Sequence, residues 1–427
     1  MVMNVLLVVT SLVAVYHIPP AVKCVMLSAT HISPSSWGFS TMQISQRLRS
    51  MPPYHFAKIA QLIAAKRAAG VDVIPLTMGD PDLPTPDPVL DRMAEAARDP
   101  LNHRYPGYYG LPELRQAMVG YFARRFDVVL DPDREITLML GSKEGLAHLP
   151  LVMLDPGDVA LIPDPGYTTY LMGTLIATGT PITFPLTAER GWLPDFSAIP
   201  SDVARQAKLI WLNYPNNPTG ASATQRFFEE AVAWGREYDV LIAHDNAYAD
   251  VTFDGARPMS ILQVPGAKDI AVELHSFSKT YNMAGFRVGM IAGNEQVVEA
   301  FKTLKTQIDT GMFTVIQHAA IAALNLPESW IHERNMVYQR RRDRLAQACR
   351  DAGLTLAMPE ASLYLWPRVP AGETSQSFTD RLLEETGILV TPGVNFGAQG
   401  EGYVRLALTV PDARLEEAAR RIAAFKS

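Results

Sequence analysis

The chain has 427 residues, 48% of them hydrophobic and 19% charged, which excludes a largely disordered polymer and leaves room for roughly two to three domains. Its 38 Lys and Arg against 44 Asp and Glu give a formal net charge of −6, which excludes binding to nucleic acid through bulk charge. Two cysteines, Cys24 and Cys349, exclude a disulfide framework and suit a reducing cytoplasm.

Residues 5–15 form an apolar run interrupted by Thr10 and Ser11. It is too short to cross a bilayer, which takes roughly 20 apolar residues. Met1 to Asn4 lack the basic residues of a secretory signal. Residues 1–41 are therefore expected to be an extension outside the fold, disordered or not native, with Met42 the true start. The alternative is a targeting or anchoring segment. No membrane is expected as a partner. Residues 54–69 are rich in Ala, Ile, Leu and Lys and stop at Gly70, which predicts a helix with a C-terminal glycine. Residues 83–88 hold three prolines and predict a loop. Residues 110–125 put Leu111, Leu114, Met118 and Phe122 at helical spacing.

From residue 136 short apolar runs alternate with helical stretches. The runs are 136–140, 159–162, 208–212, 240–243, 271–274 and 288–292; the helices are 143–154, the stretch after Tyr167, and 225–237. That alternation predicts an α/β fold with a buried, mainly parallel sheet. Residues 328–350 predict a long charged helix, with Arg340, Arg341 and Arg342 on a solvated face. The remainder reads as mixed α+β, ending in a helix over 414–425.

Ligands in open α/β sheets bind at the carboxyl ends of the strands, so the residues just after each run matter most. After the first run comes Gly141-Ser142-Lys143-Glu144-Gly145, whose small residues open a helix that can hold a phosphate, or whose Ser142 simply caps it. After the third come Asn213-Tyr214-Pro215-Asn216-Asn217-Pro218-Thr219-Gly220, which also fit plain turn chemistry. After the fourth come Asp245-Asn246-Ala247-Tyr248, a carboxylate and a phenol able to face one pocket, or a capping Asp. After the fifth come Ser276-Phe277-Ser278-Lys279, then Arg287 eight residues beyond the lysine. A lysine held at the end of a buried strand loses hydration and becomes a nucleophile for a carbonyl, although a lysine is far more often a solvated surface residue.

Together, Asn217-Pro218-Thr219-Gly220, Asp245-x-x-Tyr248 and Ser276-x-Ser278-Lys279 with Arg287 resemble the class I/II aminotransferases, which are fold-type I pyridoxal phosphate enzymes. The resemblance spans about residues 42–427. It implies a large domain at 80–310 with a mainly parallel seven-stranded sheet and flanking helices, and a smaller α+β domain from 42–79 and 311–427. It implies that Lys279 bonds the cofactor aldehyde and moves protons, that Asp245 pairs with the pyridine nitrogen, and that Asn217 and Tyr248 hydrogen-bond the ring's phenolic oxygen. Tyr167 would stack on the ring. Ser142, Lys143, Ser276 and Arg287 would hold the phosphate. Arg405 would clamp the substrate α-carboxylate, and Gly79 would let backbone lie against the substrate, unless it is only a turn glycine. Tyr105 would reach the phosphate of a neighbouring subunit, which makes a homodimer; Tyr108 and Tyr109 are alternatives for that phenol.

The implied activity is transamination between an amino acid and a 2-oxo acid such as 2-oxoglutarate. Residues 52–57, 141–144, 278–283 and 307–313 resemble LL-diaminopimelate aminotransferases. Alanine, aspartate or aromatic amino acids, or a C–S lyase reaction on the same fold, are the alternatives. A Ser-x-x-Lys hydrolase would need Ser-Asp-Asn and Lys-Thr-Gly downstream, and neither occurs. A non-catalytic binding protein of this fold is opposed by the intact Lys279, Asp245 and Arg405.

Overall fold

The strands, in chain order, are Ile74–Pro75 (β1), Ile136–Met139 (β2), Val159–Asp164 (β3), Thr180–Pro185 (β4), Ala207–Asn213 (β5), Leu241–Asp245 (β6), Ala271–Ser276 (β7), Gly289–Gly293 (β8), Tyr364–Leu365 (β9), Ile388–Leu389 (β10), Thr391–Pro392 (β11) and Val404–Ala407 (β12). This computed structural model describes residues 44–49, 51, 55–257 and 259–426. The expected extension at 1–41 and the motif residues 52–54 lie outside the described residues. Two units are distinguished, Met1–Arg49 and Ser50–Ser427. In the first, Gln46–Arg49 is a short helix whose Leu48 amide donates to the Ser45 hydroxyl.

In the second unit seven strands form one sheet in the order β2-β8-β7-β6-β5-β3-β4. The pairs from β4 through β3, β5 and β6 to β7 are parallel, and β8 is antiparallel to both β7 and β2. Each of the six apolar runs becomes a strand. Every residue of β6, β7 and β8 is buried, because helices cover both faces. Side chains alternate between those faces. Ile210, Leu212 and Ile242 enter one apolar cluster with Phe122 and Phe228, while Leu209, Trp211, Leu241 and Ala243 enter another with Leu146 and Tyr170. A further cluster joins Ile74 and Leu76 to Tyr338, Leu345, Phe378, Leu406 and Ile422, beside the small sheets β1-β10 and β11-β12-β9.

Some elements differ from the sequence expectation. β4 was not anticipated: it is an edge strand in which only Phe184 is buried, with prolines at positions 181 and 185, so no continuous apolar run marks it. The expected loop at 83–88 ends early, because a helix starts at Asp87 with Pro88 in its first turn, where a missing N–H costs nothing. The helix Thr314–Leu324 packs Ala319, Ala320 and Ala323 into the first cluster.

The arginine run corrects the expectation most. The helix Glu328–Asp351 forms, but Arg341 and Arg342 are only 4% and 3% exposed. They continue a stripe with Tyr338, Leu345 and Cys349 at helical spacing. Their charges are matched in place: Arg341 holds Asp82 at 2.6 Å and Asp412 at 2.6 Å, and Arg342 holds Asp254 at 2.6 Å. Charge composition signalled solvent; the facing carboxylates allow burial instead.

Removing one partner of such a group strands the others. Arg341→Ala should lower the unfolding free energy by about 2–4 kcal/mol, below the full cost of a buried pair because Asp412 is exposed. Arg340→Ala, on the outer face, should stay within about 0.5 kcal/mol in the same urea titrations. Equal small losses would show that the buried pairing contributes little.

Candidate active site

The carboxyl ends of β5, β6 and β7 supply Asn213, Asp245 and Ser276, side by side in the sheet. The cleft above them, about 440 Å³, is lined by eleven of the twelve residues that the sequence singled out. From the strand ends come Asn217, Asp245, Tyr248, Ser276 and Lys279. Ser142 and Lys143 come from the start of the helix Ser142–Met153, Tyr167 from the loop after β3, Arg287 from the turn before β8, and Gly79 and Arg405 from the part beyond. Tyr105 does not line it: its side chain is 89% exposed.

The loop after β5 is stiffened by its own amides. The Asn213 side chain donates to the Asp245 carbonyl at 2.7 Å and accepts from the Asn217 amide at 2.8 Å. The Asn216 oxygen accepts from the Thr219 amide and hydroxyl. This places the Asn217 oxygen 2.7 Å from Arg405 Nη1, which donates to it. Arg405 comes from β12, is 2% exposed, and also donates to the Thr77 carbonyl.

Gly141 has φ of 79° and precedes the helix Ser142–Met153. A Cβ there would collide with the guanidinium of Arg287, so glycine is what lets that cation lie against the helix N-terminus. The N-terminus of that helix, with its dipole, and a guanidinium then face the same space, together with Ser142, Lys143 and Ser276. Gly79 has a different reason to be small. A Cβ on it would strike the Tyr364 hydroxyl.

Lys279 sits in the four-residue helix Phe277–Thr280 directly after β7. Its amine donates to the Gly79 carbonyl. The residue opens partly to the cleft, yet its amine lies deep. Burial lowers its pKa to about 8; Asp80 opposes this, and the Arg405 and Arg287 charges add to it. Asp245 is pushed up by burial, and the Tyr170 hydroxyl, donating at 2.7 Å, only partly offsets this. Its Oδ1 is buried without a hydrogen-bond partner among the described residues. Arg334, also buried, donates to the carbonyls of Lys279 and Thr280 and pins the short helix.

Tyr170 and Tyr364 escaped the sequence reading. Tyr170 stands one turn beyond Tyr167, a spacing that signals only a helix face. Tyr364 lies in a short strand far along the chain, and no local pattern marks it.

The aminotransferase class I and II family matches residues 71–422. The chain belongs to that family. It is 50% identical over 378 residues to the LL-diaminopimelate aminotransferase of Desulforudis audaxviator, covering 88% of this chain and 96% of the relative. The LL-diaminopimelate aminotransferase of Aquifex aeolicus is 49% identical over 384 residues, 90% of this chain and 99% of the relative. Among solved structures, substrate-bound BacF from Bacillus subtilis superposes with a TM-score of 0.86 at 35% identity, covering 90% of this chain and 98% of that one. Family and fold depend on pyridoxal phosphate. The residues present fit it: Asp245 Oδ1 is an orphaned buried acceptor of the kind a protonated pyridine nitrogen satisfies, and the Gly141 turn is an anion cradle.

In protein freed of cofactor, labelling of Lys279 by an amine-directed reagent should rise roughly ten-fold per pH unit and level off at about 8, as the neutral fraction saturates. Peptide mapping checks this; a plateau only above pH 10 would mean that the amine is solvated.

Proposed function

We propose that this aminotransferase binds pyridoxal phosphate through Lys279 and transfers the amino group of LL-diaminopimelate to 2-oxoglutarate. The observation that carries the reading is the meeting in one cleft of an amine of lowered pKa, a buried carboxylate with one oxygen unpartnered among the described residues, and a buried guanidinium. The substrate choice is supported by the curated relatives at about half identity.

The residues divide the work. Arg405 offers its guanidinium to the α-carboxylate, with Asn217 and Thr77 fixing the plane of the fork. Its Nε has no partner among the described residues, so donor capacity remains. Asp245 would take the pyridine nitrogen on Oδ1, while Tyr170 holds Oδ2. Ser142, Lys143, Ser276 and Arg287 would surround the phosphate, Tyr167 would stack on the ring, and Tyr248 would donate to its phenolic oxygen. Bound there, the cofactor supplies a carbonyl for the amino group and a ring that draws electrons from the substrate Cα. Lys279 takes the Cα proton on its Nζ and would deliver it to the cofactor carbon that carried the carbonyl; a pKa of about 8 leaves part of the amine neutral at pH 7.

A homodimer belongs to the same proposal. Tyr105, Tyr108 and Phe313 expose large aromatic surfaces that a second copy would cover. A division at about 80–310 against 42–79 and 311–427 is part of the same proposal, supported by the separate apolar cluster of Ile74, Leu76, Tyr338, Leu345 and Leu406. A cytoplasmic location is part of the same proposal, supported by a chain with only two cysteines.

A donor screen with 2-oxoglutarate is expected to give its highest kcat/KM with LL-diaminopimelate. Preference for alanine, aspartate or an aromatic amino acid would refute that substrate. Continuous turnover of a donor with no oxo acid present would mean a lyase.

Tyr105→Ala and Arg405→Ala should each lower turnover. Randomly exchanged dimers of the two variants should recover about a quarter of the wild-type sites, because one site of each mixed dimer is intact. No recovery would place Tyr105 at its own chain's site.

A further inference from the structure

Tyr364 joins two parts of the cleft that the resemblance treats separately. β9 pairs with β12 so that Tyr364 stands opposite Ala407, two residues from Arg405. Its ring centroid is 4.2 Å from the Arg405 guanidinium carbon. Its hydroxyl is 2.8 Å from the Tyr248 hydroxyl, and either oxygen could donate. The two rings meet edge to face at 5.6 Å. Both residues are buried, at 3% and 5% exposure. The space for the Tyr364 hydroxyl exists because residue 79 is glycine, whose carbonyl also accepts from Lys279.

Two neutral phenols in contact must choose one donor. The choice is open in the protein alone. It closes once the cleft holds an acceptor for the Tyr248 proton. The Tyr248 oxygen is then left with lone pairs only, and the Tyr364 hydroxyl is the donor that faces them. A donor whose own oxygen accepts a hydrogen bond is polarised and donates more strongly. On its other side the Tyr364 ring face lies against a buried guanidinium, where desolvation strengthens a cation–π contact.

We propose that Tyr364 is a positioning residue of this active site: its hydroxyl, donating to Tyr248, aims the Tyr248 proton into the cleft, and its ring holds the Arg405 guanidinium in register for a carboxylate. This rests on the pyridoxal phosphate reading above. The Tyr248 proton and the proton on the Lys279 nitrogen compete for one ring oxygen. Weaker donation by Tyr248 therefore leaves the nitrogen proton more tightly held.

The test uses the cofactor-loaded protein and follows its visible absorption band against pH. Tyr364→Phe keeps the ring and removes the hydroxyl. Its band should titrate at a midpoint higher by roughly 0.3 to 1 pH unit, with KM for the amino donor little changed. Tyr364→Leu removes the ring as well, and should raise KM by roughly three- to ten-fold. A lower thermal midpoint with an unmoved band midpoint would mean a purely structural side chain and would overturn the proposal. An unmoved KM in Tyr364→Leu would overturn the part concerning Arg405. Wild-type protein with no visible band after loading would sink the cofactor reading itself, a result distinct from either.

Discussion

Lys279 keeps a primary amine where water is scarce and where two guanidinium groups add to the cost of charging it. The rest of the site is arranged around that condition. β7 runs buried along its whole length and delivers the lysine from inside the protein. Arg334 holds the carbonyls of the short helix that carries it. Arg405 and Arg287 both act on the amine, and Arg287 lies where a Cβ on residue 141 would collide with it. An amine with a pKa of about 8 can serve as nucleophile and as proton carrier near neutral pH, where an ordinary lysine would stay charged.

Strand alternation extends the arrangement to the far side of the sheet. Asp245 and Ser276 face the cleft, so their neighbours His244 and His275 face away. There Glu273 accepts from His244 Nδ1 at 2.9 Å and His275 Nε2 at 2.6 Å, and from the Ser260 hydroxyl and the Ile261 amide. Burial alone would push the Glu273 carboxyl up, but the two histidines hold it well below the usual range. A charge-assisted bridge thus ties β6 to β7 just behind the two residues that face the ligand space. Buried polar groups of this kind stabilise only when fully satisfied, and Glu273 has a donor for each oxygen.

Much of the site was legible in the chain because strand ends carry local signals. An apolar run followed by Asn-Pro-Thr-Gly, by Asp-x-x-Tyr or by Ser-x-Ser-Lys puts chemistry at the end of a parallel strand, where the fold collects it. Six strands were legible for the same reason: burial on both faces writes a continuous apolar run. β4 was not, because an edge strand need not be apolar. The arginine run misled because a charged residue looks solvated until its partners are known, and Asp82, Asp254 and Asp412 lie scores of residues away in sequence.

By itself the sequence determined the α/β class and the order of the chemical groups, and it put Lys279 at the end of a buried strand. These follow from residue type and near-neighbour spacing. Tertiary structure alone decided which groups meet. Tyr364 reaches Tyr248 across 116 positions, Arg405 reaches Asn217 across 188, and Lys279 reaches Gly79 across 200. It also decided the pKa shifts, since burial and the distances between charges belong to the packed molecule. No local pattern encodes those separations; the pairing of β9 with β12 and the closing of the cleft over β5, β6 and β7 set them.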